Sequence, residues 1–311
     1  MGDLPAAVHT PVLLAEVIQR LHPQPGMRML DCTLGLGGHA VALARAGADV
    51  VGIDRDGEAR SLARERFASE GLAGKLTVRA ATFADAVEEL VKQGERFDGV
   101  LADLGVSSMQ LDREDRGFSW RSETSPDMRM GDGCPETALD LIARSSEEQL
   151  ATILYEYGEE RLSRRVSRSI KLAHAAGALT TNAQLAAVVR AAIPGHHTRH
   201  PAMRTFQALR IAVNDELGQL ERLLAVLPQL TAPGGRAVVI SFHSLEDRAV
   251  KEVFRDGLQA GLWEDVARKV ITASDEELAV NPRATPAKLR WALRAASSST
   301  STTSATGISR S

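Results

Sequence analysis

Three carboxylates, Asp31, Asp54 and Asp103, each close a short apolar run (MRMLD, VVGID and DGVLAD), and the first run passes into the glycine-rich segment CTLGLGGHA. Gly35, Gly37 and Gly38 lack a Cβ. The backbone there can take left-handed dihedrals and present amide N–H groups at a helix start, where negative or polar ligand atoms are favoured. The spacing Gly35-x-Gly37-x-x-Ala40, followed by Asp54, fits a dinucleotide fingerprint in which the downstream acid takes the ribose hydroxyls. Asp31 points elsewhere, because a carboxylate just ahead of the loop repels a pyrophosphate and welcomes a cation. S-adenosylmethionine carries a sulfonium and an ammonium and no phosphate. From these residues alone the loop reads as an S-adenosylmethionine site ahead of a dinucleotide site, with a plain structural turn as the third reading.

The elements that must position these residues alternate. Residues 12–21 have a helical period ended by Pro23 and Pro25, and strands are expected at 27–32, 49–54, 76–80 and from Phe97 to Asp103. Helices are expected between them at 38–46, 57–70 and 83–93. Such alternation implies an α/β fold with a parallel, Rossmann-like sheet whose ligands sit at the carboxyl ends of the strands, where the three acids lie. From Met109 the chain turns polar and irregular, and helices follow at 137–143, 146–157, 159–175 and 182–192. A long helix over 204–226, a turn at Pro233-Gly234-Gly235, a strand at 236–242, a helix at 245–258 and last strands in ARKVIT and KLRWALRA then resume the core. The expected organisation is a discontinuous core of 1–108 and 204–296, an all-helical insertion at 109–203, and a disordered Ser/Thr-rich tail at 297–311.

Composition is that of an ordinary globular chain: 311 residues, 44% hydrophobic and 25% charged. No run is long enough for a membrane span and the N-terminus lacks a secretion signal, so a cytoplasmic protein is expected. Two cysteines, Cys32 and Cys134, are too few for a disulfide framework. The net charge of −3 hides an uneven distribution. Arg161 to Asn214 contains no acid but nine of the 37 Lys and Arg, which leaves 28 against 40 acids elsewhere. A cationic patch on an acidic body suits a nucleic-acid partner.

The order HTPVLLAEV (9–17), DCTLGLGGH (31–39), DLGVSSMQLD (103–112), RGFSW (116–120), HPAMRTFQALRIAVNDEL (200–217), PGGRAVVISFHSLEDRAVK (233–251) and NPRATPAKLR (281–290) resembles the bacterial 16S rRNA cytosine-N4 methyltransferase (MraW/RsmH) family over nearly the whole chain. The resemblance implies a class I methyltransferase core with an inserted helical domain, S-adenosylmethionine as donor, and a cytosine in the decoding region of small-subunit RNA, within the 30S subunit, as acceptor. It implies that Gly37, Gly38, His39, Asp54, Phe83, Asp103 and Gln110 hold the donor, with Asp31 a further candidate for its ammonium. Two positions depart from wider patterns: Thr33 stands where broader methyltransferase loops have a first glycine, and Met109 where the family commonly has proline.

Methyl transfer from a sulfonium is an in-line displacement that needs no metal, only sulfur, methyl and acceptor nitrogen held collinear. The cytosine amino group is a poor nucleophile, and an acceptor drawing on its N–H groups helps localise the lone pair. Asp103 is the candidate for that role, Trp120 or Phe118 for stacking a flipped base, and His243 for substrate positioning if it is not simply a satisfied loop histidine. Arg161, Arg164, Arg165, Arg168, Lys171, Arg199 and Arg204 are candidate phosphate contacts. The histidines of HHTRHP (196–201) lack an accompanying carboxylate or cysteine and suit RNA contact better than metal. Rival readings are a nicotinamide oxidoreductase, a silent RNA-binding factor that senses the donor, and a methyltransferase acting on DNA or free RNA. A homodimer is one admissible assembly.

Overall fold

The alternation expected from the sequence is realised strand by strand in the computed structural model, which describes residues 10–296 other than 132, 196 and 199, with no side-chain detail at Ser108 and Asp112. The tail at 297–311 and the candidates Arg199 and His196 lie outside the described residues. β1 (Arg28–Asp31), β2 (Asp49–Asp54), β3 (Leu76–Ala80), β4 (Phe97–Asp103) and β5 (Thr231–Ser241) run parallel, whereas β6 (Trp263–Val266) and β7 (Lys288–Arg294) complete the sheet through antiparallel pairs β5–β7 and β6–β7. The order is β3-β2-β1-β4-β5-β7-β6. It reverses direction between β1 and β4, and that switch point opens a crevice at the carboxyl ends of the two central strands.

The helices in chain order are α1 (Leu14–Leu21), α2 (Gly38–Arg45), α3 (Gly57–Ser69), α4 (Phe83–Lys92), α5 (Ser108–Asp112), α6 (Ala138–Arg144), α7 (Glu147–Glu156), α8 (Ser163–Ala175), α9 (Asn182–Ala192), α10 (Ala202–Asn214), α11 (Glu216–Leu230), α12 (Ser244–Gln259) and α13 (Asp275–Val280). Leu21, Leu43 and Phe67 of α1, α2 and α3 bury against one face of the sheet, and Leu90, Leu223 and Phe254 of α4, α11 and α12 against the other. A separate apolar core gathers Leu141, Leu154, Ile170, Val189 and Leu209 of α6 to α10 with Phe118, Met128 and Met130 of the irregular segment. Val166 and Ile170, four residues apart, turn one side of α8 to this core and leave the opposite side to its arginines.

Three expectations change. The long helix at 204–226 is broken: Asp215 takes φ 50° and ψ 41°, a left-handed conformation that Asp tolerates better than most residues, so α10 ends and α11 begins in a new direction. The side chain of Asn214 holds this corner, donating to Met128 O at 2.7 Å and Arg210 O at 2.9 Å and accepting from Met130 N at 2.8 Å. Pro233-Gly234-Gly235 is a bulge inside β5, where the register against β4 shifts from Phe97↔Thr231 to Gly99↔Arg236. The strand expected in ARKVIT is reduced to a single bridge, Ile271↔Leu289, and the edge strand is β6, anchored by Trp263 at 1% exposure with its ring 5.7 Å from that of Phe254.

Candidate active site

A cavity of about 430 Å³ opens at the carboxyl ends of β1, β2, β4 and β5. One side is the glycine loop. Gly35 and Gly37 have φ of 50° and 73°, which a side chain would strain, and Gly37 is the residue that starts α2. Gly37 itself faces α3, where an added Cβ would lie 3.3 Å from that of Ala63, while Gly38 and His39 line the cavity. A Cβ on Gly38 would meet Pro11 at 2.5 Å, so the segment before α1 packs directly on the loop.

Asp54 ends β2 and uses its carboxylate to shape the loop: Oδ2 accepts from Gly35 N at 2.8 Å and Oδ1 from Asp56 N at 2.8 Å. Burial nonetheless outweighs these bonds and raises its pKa. Phe83, the first residue of α4, and Gln110 of α5 also line the cavity. Gln110 is 7% exposed; its Oε1 accepts from Ser107 N at 3.0 Å and its Nε2 donates to Met130 O at 2.9 Å. Met109 leaves this capping box intact.

Asp103 ends β4 at the centre. Its backbone N–H donates to Thr33 Oγ1 at 2.7 Å, and its Oδ2 stands 3.7 Å from His39 Nδ1. The other ring nitrogen of His39 lies 2.9 Å from the carbonyl of Val12, to which it can only donate. Oδ1 of Asp103 is buried and has no hydrogen-bond partner among the described residues. Burial, then the neighbouring charges of Asp31 and Glu246, push the Asp103 pKa well above the carboxylate range. This group is short of a donor or a cation, and the cavity is where one would enter.

Two candidates are placed otherwise than their spacing implied. Asp31 is 1% exposed and sits behind the wall, its Oδ1 accepting from Thr33 N at 3.1 Å and Thr33 Oγ1 at 3.4 Å. It supports the loop through Thr33 rather than lining the cavity. Burial raises its pKa to about 7. His243 is the N-cap of α12, its Nδ1 accepting from Glu246 N at 3.5 Å while Glu246 Oε2 accepts from His243 N at 3.3 Å and also from Phe242 N at 2.8 Å. That reciprocal cap is a structural position. The stacking candidates also move: Phe118 is buried in the helical core, and the Trp120 ring is stacked on His200 at 4.0 Å with Arg121 over it at 4.5 Å.

The aromatic residue that borders the cavity beyond Asp103 is Phe242, just past β5, and with it come Arg210, Glu216, Gln219 and Glu246. Arg210 stood out in the sequence only as one of the nine cations of the acid-free segment, and the others not at all. The signal available was the interval His243-x-x-Glu246 opening a helix, a capping box that fixes Phe242 beside the crevice. Glu246 is buried, yet His243 and Arg210 overcome the cost of burial and hold its pKa below the usual value. Glu216, His243 and Glu246 offer ligand atoms within 4.8 Å of one another, but Arg210 already supplies a cation there by its paired contacts with Glu216.

Of the cationic candidates, Arg161, Arg164, Arg165 and Arg168 are exposed at or near the start of α8. Lys171 instead turns to the C-terminus of α6, donating to Ile142 O at 2.8 Å and Ala143 O at 3.1 Å, where a cation is favoured. Arg204 reaches the carbonyl of Glu159 at 3.3 Å.

The residues fit a methyl donor better than a dinucleotide: burial raises the pKa of Asp54, which Arg55 offsets only in part, and that of Asp103, which no cation offsets, a strain that a sulfonium relieves and a pyrophosphate aggravates. Residues 6–295 match the MraW methylase family. The Ribosomal RNA small subunit methyltransferase H of Sorangium cellulosum is 50% identical over 290 residues, covering 92% of this chain and 90% of its own length. That of Acidobacterium capsulatum is 47% identical over 294 residues (91% and 97%), and that of Deinococcus deserti 48% over 289 residues (92% and 93%).

Proposed function

This chain belongs to the MraW methylase family, and from that premise we propose that it transfers a methyl group from S-adenosylmethionine to the exocyclic N4 of a cytosine in 16S rRNA, in the small ribosomal subunit. The fold is the Rossmann-like methyltransferase core, and the relatives named above act on small-subunit ribosomal RNA by name. The observation that carries the choice of an amino acceptor is Asp103 Oδ1, a buried carboxylate oxygen with no partner at the end of the central strand of the cavity.

Bound S-adenosylmethionine supplies an electrophilic methyl group on a sulfonium. Asp54 would take its ribose hydroxyls with the lone pairs left after the bonds to Gly35 and Asp56, and Phe83 and Gln110, which line the same cavity, would help hold it. Asp103 Oδ1 accepts an N4–H of the cytosine, which concentrates the lone pair on nitrogen. As N4 takes the methyl group, the bond to the donor would break with its electron pair left on the donor, and the excess proton of N4 would pass to the Asp103 carboxylate that already faces it.

The helical part of the chain, centred on 109–203, presents the RNA. The exposed guanidinium groups of Arg161, Arg164, Arg165 and Arg168 support this, since phosphate contacts orient a substrate without reading it. Among the described residues no helix is long and apolar enough to cross a membrane. A ribosomal RNA substrate places the reaction in the cytoplasm.

The test is transfer of labelled methyl to 30S subunits, naked 16S RNA and DNA, followed by nucleoside analysis. Label in N4-methylcytidine from 30S subunits is expected. Label on another nucleoside would overturn the acceptor atom, and label only in DNA would overturn the substrate.

A further inference from the structure

The part of the cavity beyond Asp103 carries a charge arrangement that the donor does not explain. Arg210, near the end of α10, donates through Nε to Glu216 Oε1 at 2.7 Å and through Nη2 to Glu216 Oε2 at 2.8 Å, with side chains only 18% and 8% exposed. In a continuous helix two residues six apart stand roughly 120° away from each other around the axis and do not meet. The left-handed break at Asp215 brings them together. A half-buried guanidinium is thus clamped by a two-point carboxylate contact, and its Nη1 makes no hydrogen bond to a described residue. Arg210 and Asp103 line the same cavity, as do Phe242 and Gln219, whose Oε1 is buried with no hydrogen-bond partner among the described residues.

Resting on the methyl transfer proposed above, we infer that Arg210 is the residue that reads the acceptor edge of the target base, donating to N3 or O2 of cytosine, and that Glu216 is the positioning residue that holds it. Cytosine presents a donor at N4 followed by acceptors at N3 and O2. An acceptor at Asp103 and a fixed donor at Arg210 match that order. Uracil presents an acceptor at position 4 and a donor at N3, so it would set its O4 against the Asp103 carboxylate and its N3–H against the guanidinium. A misplaced hydrogen bond in a desolvated site discriminates far more strongly than a change in shape. Phe242 supplies the flat wall: its ring lies 3.6 Å from where a Cβ on Gly105 would be, beside the end of β4. Gln219, which lines the same cavity, holds a second buried acceptor in its Oε1.

The experiment compares wild type with Arg210→Met, Arg210→Lys and Glu216→Gln, measuring kcat and KM on 30S subunits and donor affinity by calorimetry. Arg210→Met is expected to lower kcat/KM by about 10- to 100-fold, the range for losing a charged hydrogen bond, with donor Kd within twofold. Arg210→Lys keeps the charge and loses the fork, and Glu216→Gln loosens the clamp; each should fall between the two, chiefly through KM. Parallel losses in donor affinity would assign Arg210 to the donor's carboxylate and overturn the inference, as would unchanged kcat/KM. Donor binding by Arg210→Lys also reports folding, so an unstable Arg210→Met does not leave the question open. A wild-type enzyme that puts no methyl on cytosine N4 would instead bring down the underlying reaction.

Discussion

Thr33 and Asp103 are joined by a 2.7 Å hydrogen bond in which the Thr33 hydroxyl accepts the backbone N–H at the end of the central strand, and Thr33 in turn leans on Asp31. The position where wider methyltransferase loops have a glycine is here a bracket between two strand ends. Its hydroxyl does work a glycine cannot.

Thr33→Val keeps the shape and removes the acceptor, which leaves the Asp103 N–H unpaired. The expected cost is about 1–3 kcal/mol in urea unfolding, together with weaker donor binding. Thr33→Ser should restore both. Equal stability of the valine variant and wild type would show that water replaces the hydroxyl.

Donor binding should release protons. Asp31 titrates near pH 7 and Asp103 well above its ordinary value in the donor-free protein, because burial favours the neutral acids. A cationic donor favours the ionised forms, so affinity should rise with pH from about 5 to 8, and calorimetric enthalpies should differ between buffers of different ionisation heat. The sign for stability is opposite. A carboxyl with a raised folded pKa binds more protons folded than unfolded, so the contribution of Asp31 is complete below about 3.8 and is lost as pH rises through about 7. Asp31→Asn should flatten that slope. A buffer-independent binding enthalpy would remove the linkage.

Asn214→Ala should be among the most destabilising single changes in the chain. Asn214 is 2% exposed and its amide satisfies Met128 O, Arg210 O and Met130 N. Alanine strands buried backbone groups and loosens the corner that aims Arg210, so a loss of about 2–4 kcal/mol is expected in chemical denaturation. A change under about 0.5 kcal/mol would mean that the segment around Met128 repacks.

Charge reversal of Arg164, Arg165 and Arg168 to Glu should weaken RNA binding and reduce its salt dependence while donor affinity stays as in wild type. These residues sit on the exposed side of α8, whose other side is buried through Val166 and Ile170. Filter binding across a salt series reads both quantities. Unchanged RNA affinity would mean that another surface carries the substrate.

The sequence alone determined the parallel core, the glycine loop and the acids at the strand ends. Buried parallel strands must be continuous apolar runs, and ligand-facing groups must come where such runs stop, so period and position suffice to read them. The resemblance added the candidate donor residues, of which Gly38, His39, Asp54, Phe83, Asp103 and Gln110 line the cavity. What spacing does not encode is the direction of a side chain after a change of chain course. Asp31 and His243 had the right types at strand ends, yet the first supports Thr33 and the second caps α12. Trp120 looked available for stacking, yet its ring is engaged by His200, and Phe242 takes the place beside the pocket. The pairing of Arg210 with Glu216 exists only because Asp215 breaks a helix that hydrophobic period alone would continue. That break is settled by Asn214 satisfying backbone groups more than 80 residues away in sequence, a contact that exists only once the chain has folded.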